Sequence, residues 1–259
     1  MPATAIRCET FSVPGDRLPS SGEWNLYFER NARNLLDVPW QLGADVSPSE
    51  VEVIFASIQE FQLGESSEGR HLIRAAREYA ACTGDHDYLV AIERFIREEQ
   101  RHARDLGRFM SLAGIPKIRK SWPDRVFRRL RHLAGLELSV AVLVTAEIIA
   151  KVYYTALQKA TGSRVLRRIC DQIIHDEGPH VEFQCQRLAI LRRGRRGLRL
   201  RATHALHRLL FAGAILVVWP KHKRVLRAGG LTFRRYWRES WREYRSAERI
   251  MDPLSSARG

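Results

Sequence analysis

Apolar positions along most of the chain recur every three or four residues. Nothing in it alternates in the manner of a strand, so the pattern predicts an all-α protein. Ser47-Pro48-Ser49-Glu50 is a helix start, with Ser47 as cap, Pro48 at the first helical position and Glu50 closing a capping box. From there the pattern predicts helices over about 48–81 and 87–112, turning at Thr83-Gly84-Asp85, the second closed by Gly114 and Pro116. A crossover follows, in which Trp122-Pro123-Asp124 opens a short basic helix. Helices over about 134–160 and 164–192 then flank the tight turn Thr161-Gly162-Ser163. An apolar helix near 202–219 and an Arg/Trp-rich helix near 231–250 come last.

Four parts result: an N-terminal arm over 1–46 with a short helix near Trp24–Leu36, a helical unit over 47–193, a basic and partly apolar helical extension over 194–251, and a frayed tail over 252–259. Two hairpins joined by a longer crossover describe a four-helix bundle with two additional C-terminal helices.

The apolar stripes carry the chemistry. The second helix reads Tyr88, Ile92, Phe95, Glu99, His102, Leu106, Phe109, a regular 4-3 spacing. The third reads Leu136, Val140, Leu143, Glu147, Ala150, Tyr154, Leu157, and the fourth Leu166, Cys170, Ile173, Glu177, His180, Gln184, Leu188. On the first, Ile58, Phe61, Glu65, Glu68, Leu72, Ala75 and Tyr79 share a face. Each stripe is apolar except at mid-helix, where it places carboxylates and, in two helices, a histidine one turn on. An ionised carboxylate in an apolar core costs several kcal/mol unless it is paired or bound to a cation. No matching Arg or Lys occupies the stripes, so the missing positive charge is expected to be metal. Glu99-x-x-His102 and Glu177-x-x-His180 put an oxygen and a nitrogen ligand on one face, from which two antiparallel helices can hold two cations. Oxygen-rich donors with one imidazole per ion suit iron or manganese better than structural zinc.

In these residues the chain resembles the ferritin-like di-iron carboxylate superfamily, whose pattern is Glu, Glu-x-x-His, Glu, Glu-x-x-His. The resemblance covers about 48–192 and implies metal ligands at Glu65, Glu99, His102, Glu147, Glu177 and His180, with Glu68 an alternative or addition to Glu65. It also implies that Glu98 accepts a hydrogen bond from His180 and Asp176 one from His102, orienting both rings. Pro179, inside the fourth helix, is expected to remove one backbone hydrogen bond and kink it.

Among similar proteins, the reductase small subunits carry a radical tyrosine one turn past the first ligand histidine, where this chain has Leu106. Peroxide reductases of the group use a rubredoxin module, and no Cys-x-x-Cys is present. The expectation is therefore a non-haem di-iron oxidase or oxygenase with two Fe ions, Mn/Fe or Mn/Mn being compatible. It would act on O2 and a small organic substrate with an external electron donor and no catalytic residue beyond the ligands. A ferroxidase without an organic substrate is the alternative.

Charge adds partners. Net charge is +14, from 37 Arg and only 6 Lys against 29 acids, much of it after residue 117. An acidic carrier protein or a membrane surface fits this basic region and a homodimer contact fits the apolar run Leu209–Trp219, while nucleic acid is disfavoured by the absence of any DNA- or RNA-binding motif. The longest apolar run, Leu209–Trp219, is short for a bilayer core of about 30 Å, so the expectation is a cytoplasmic protein, at most peripherally membrane-associated.

Overall fold

A computed structural model describes residues 18–66, 69–119 and 135–252 of the chain. These residues are all-helical, with no strand among them. Helix α1 spans Ser21–Arg33, α2 Pro48–Glu65, α3 Arg70–Thr83 and α4 His86–Leu112. Beyond the crossover, α5 spans Leu136–Ala160, α6 Arg164–Leu191, α7 Gly197–Ala228 and α8 Phe233–Met251. The Trp122-Pro123-Asp124 helix start, Glu68 and the tail beyond Asp252 lie outside the described residues.

Local chemistry sets most helix starts. Ser20 with Glu23 and Ser47 with Glu50 form capping boxes, and Asp85, Ser163 and Thr232 accept from first-turn amides. The continuous helix expected over 48–81 is two helices. Gly69 sits at φ +64° between them, and a Cβ there would lie 2.3 Å from Ile96 Cδ1 on α4. The chain can turn against α4 at this point because glycine occupies it.

Helix α5 is the axis of the structure, packing on α6 and α7 and also on α2, α3 and α8, while α4 packs on α1, α2, α3 and α6. Their apolar faces meet in one core that runs from Trp24 and Phe28 through Phe95, Phe109 and Tyr154 to Phe211, Tyr236 and Tyr244. Residues expected to form an arm therefore contribute a buried helix, and α7 and α8 share the core rather than hang from it.

Two proline-bearing helices continue past the proline. Helix α6 is unbroken from Arg164 to Leu191 through Pro179, which has no N–H for the His175 carbonyl. Helix α7, expected over 202–219, starts at Gly197 and runs through Pro220 to Ala228. Pro220 lies on the exposed face beyond exposed Leu216, so water can satisfy the carbonyl that the ring leaves free. Helices α5 and α7 are each long and apolar enough to cross a membrane by length and composition. The apolar window of α5 is 78% buried inside the protein and that of α7 28%. The short run Leu209–Trp219 understated α7, because a continuous helix carries it past Arg208 into the mixed Ala, Leu and His turn before it.

Candidate metal centre

The four stripes converge. Glu65 ends α2, Glu99 and His102 lie at the middle of α4, Glu147 at the middle of α5, and Glu177 and His180 at the middle of α6. All are buried except Glu99, whose side chain is 18% exposed, so the cluster comes closest to solvent at Glu99. One donor atom from each of Glu65, Glu99, His102 and Glu177 lies within 4.8 Å of the others, a spacing that can hold a metal ion. His180 Nδ1 joins them 3.1 Å from Glu99 Oε1 and 4.0 Å from Glu177 Oε2, without hydrogen-bond geometry. His102 Nδ1 lies 3.6 Å from Glu99 Oε1 and 3.9 Å from Glu65 Oε2. Glu147 stands outside the four-residue group, but it is buried with both carboxylate oxygens unpartnered.

The outward sides of the same residues are satisfied. His102 Nε2 is 2.9 Å from Asp176 Oδ2 and His180 Nε2 is 2.8 Å from Glu98 Oε2, each histidine reaching an acid on the other helix. A carboxylate partner accepts, so each Nε2 carries a proton and each Nδ1 is turned toward the cluster. Glu65 Oε1 accepts from the Tyr154 hydroxyl at 2.7 Å. Phe95 packs edge-on against the His180 ring at 4.8 Å, with Phe28 beyond it, closing that side to water.

Two residues that tie the acids together had no assigned role in the sequence. Asn31 Nδ2 donates to Glu98 Oε1 at 2.7 Å and to Asp176 Oδ1 at 2.8 Å, linking both histidine supports from α1. Arg101 donates to Asp176 Oδ2 at 2.6 Å and lies 3.9 Å from Glu98. Asn31 continues the 4-3 stripe of Trp24 and Phe28, so its burial was legible; its partners, on two distant helices, were not. Gln184, one turn beyond His180, is buried with both amide atoms unpartnered.

Electrostatics follow from this division. Burial, aided by the Glu99 charge, holds Glu65 and Glu177 well above the ordinary carboxylate range. Burial pushes Glu147 up to about 8, with Glu99 adding to it and His180 opposing. Burial also pushes Glu99 up, but its contact with His180 and the charges of both histidines bring it below its usual value. Asp176 is likewise penalised by burial, yet His102 and Arg101 hold it far down. Burial alone would lower His180; its acid partners Glu98 and Glu99 raise it well above 6.5. The outer acids are compensated and the inner ones are short of positive charge. The end of α2 worsens the shortage, since a helix C-terminus carries partial negative charge beside Glu65.

The inward atoms Glu99 Oε1, His102 Nδ1, both Glu147 oxygens, Glu177 Oε2 and His180 Nδ1 have no hydrogen-bond partner. Buried polar groups are ordinarily paired, and a knot of bare oxygen and nitrogen donors fits a cation. Comparison with protein-family models, with curated proteins and with solved structures gave no match.

Proposed function

We propose that α2, α4, α5 and α6 form a ferritin-like bundle holding two metal ions, and that the protein is a non-haem di-iron oxidase or oxygenase acting on a small organic molecule. The observation that carries the reading is the set of six inward-facing, unpartnered donor atoms on three helices, backed on the outside by paired acids. Glu65, Glu99 and His102 are the ligands from the first half of the chain, and Glu147, Glu177 and His180 those from the second. With two imidazoles and four carboxylates, the set favours iron or manganese. When bound, such a pair of irons supplies reductive activation of O2, with electrons from an external donor.

The chain's own residues prepare the site. Glu98 and Asp176 keep the Nε2 proton on each histidine and so present Nδ1 inward. Asn31, which donates to both, and Arg101, paired with Asp176, hold those two acids in place. Tyr154 fixes one oxygen of Glu65, and Phe28 and Phe95 keep water from His180. The edge at Glu99 is the least covered and is the side from which small molecules reach the donors.

The test loads the purified protein with Fe(II) under anaerobic conditions, then adds O2 and follows oxygen consumption, visible absorbance and iron content. O2 uptake limited to about two irons per chain, with a transient visible band, supports the oxidase. Continued iron uptake far beyond that number assigns the protein to iron storage instead.

A further inference from the structure

We propose that the outer face of α7 docks the protein onto the surface of an anionic lipid bilayer, the helix lying in the membrane plane. This rests on surface features remote from the donor cluster and is independent of the reaction proposed there.

Helix α7 has two faces. The inner face puts Leu200, Phe211, Ile215 and Val225 into the core. The outer face carries Leu198 at 81% exposure, Leu206 at 66%, Leu209 at 70% and Leu216 at 54%. Exposed Ala202, Ala205 and Gly213 lie between them, so no large polar side chain interrupts the row. From Leu198 to Leu216 the row is about 27 Å long at 1.5 Å per residue. Exposed leucines are unremarkable singly, whereas a contiguous row of this length rimmed by charge marks an interaction surface.

Charge identifies the occupant. Residues 197–228 contain no Asp or Glu, while Arg199 and Arg201 stand at one end of the row and Lys223, Arg224 and Arg227 at the other. Neighbouring acids are already engaged: Glu248 pairs with Arg208 at 2.8 Å and Glu60 with Lys221 at 2.7 Å. A second copy seated on this row would set cationic ends against cationic ends with no carboxylate on the helix to meet them. An anionic headgroup layer supplies the negative charge to both ends and the acyl boundary accepts the leucines, as in helices that lie at an interface. At the C-terminal end, half-exposed Phe233 packs against Trp219 and Trp237 at ring distances of 5.4 and 6.0 Å, aromatic groups suited to the headgroup level.

The inner face keeps α7 flat. His207 is bonded to the Ala141 carbonyl at 3.0 Å and His222 to Ser57 at 2.8 Å. Turning the helix across a bilayer would break both contacts and empty the core of Phe211.

The test is flotation of the full chain with vesicles of phosphatidylglycerol and phosphatidylcholine, and with vesicles of phosphatidylcholine alone. The double variant Leu206→Ser, Leu209→Ser is compared with Leu26→Ser, which changes an exposed leucine on α1 instead, both checked for wild-type circular dichroism. Binding to the anionic vesicles only, weakened by salt, retained by Leu26→Ser and lost at least about tenfold by the double variant, is the expected result. Equal binding to neutral vesicles, or binding indifferent to the double variant, overturns the proposal. So does a chain that ignores vesicles but is dimeric in sedimentation, with the double variant monomeric, which would make a second copy the occupant.

Discussion

Glu147→Gln should stabilise the metal-free protein at alkaline pH while weakening its hold on metal. Burial leaves the Glu147 carboxyl with no hydrogen-bond partner and raises it from 4.5 to about 8. Between those values the folded chain keeps a proton that the unfolded chain releases, so rising pH favours unfolding. A tenfold change in proton affinity corresponds to about 1.4 kcal/mol, so full ionisation costs the fold about 5 kcal/mol. His180 acts in the same direction: the stability it gives is complete below 6.5 and is lost as pH climbs from there through its raised folded value. Asp176 is depressed below 3.8, so its contribution fades only in acid and is constant over this range. Thermal melting of metal-free protein between about pH 5 and about pH 8.5 should show a fall on the order of 10 °C, at roughly 2–4 °C per kcal/mol for a chain of this size. Metal-loaded protein should lose this fall, because the cation displaces the protons. Glu65 and Glu177, raised by the same burial, add to the fall, so Glu147→Gln should make the metal-free curve shallower without levelling it. A melting temperature that stays level or rises with pH in metal-free wild type, or an identical slope in Glu147→Gln, would refute the reasoning.

Two further substitutions probe the surroundings. Asp176→Asn removes the charge that Arg101 and His102 share and turns one accepting oxygen into an NH2 facing other donors; it should lower stability by about 3 kcal/mol in urea denaturation, with metal affinity falling about 10- to 100-fold in competition with a chelator. Gly69→Ala puts a Cβ against Ile96 at a φ of +64° and should cost about 1–3 kcal/mol by the same denaturation assay; an unchanged midpoint would mean that the α2–α3 turn does not need glycine.

The sequence made the helices and the convergence of polar positions legible for a simple reason. A 4-3 row whose only polar members are Glu and His can bury them only beside one another. Glu99, His102, Glu147, Glu177 and His180 were therefore visible from spacing. Two kinds of feature were not. Nothing in the stripe around it marks Gly69, and only its left-handed backbone and the approach of Ile96 show why one helix does not run through it. Asn31 and Arg101 reach Asp176 across helices far apart in the chain, and no local pattern encodes that meeting. Helix α7 was underestimated because its outer leucines, set among small residues and arginines, have no core partner to make them periodic with the rest.

The central claim is that the inward donors exist to hold metal, and elemental analysis of the purified chain tests it most directly. Mass spectrometry of protein reconstituted with Fe(II) or Mn(II) and freed of excess metal should find about two ions per wild-type chain. The folded double variant Glu99→Ala, His180→Ala should hold far fewer. A wild-type chain without stoichiometric metal, or a double variant that binds as much as wild type, would contradict the account.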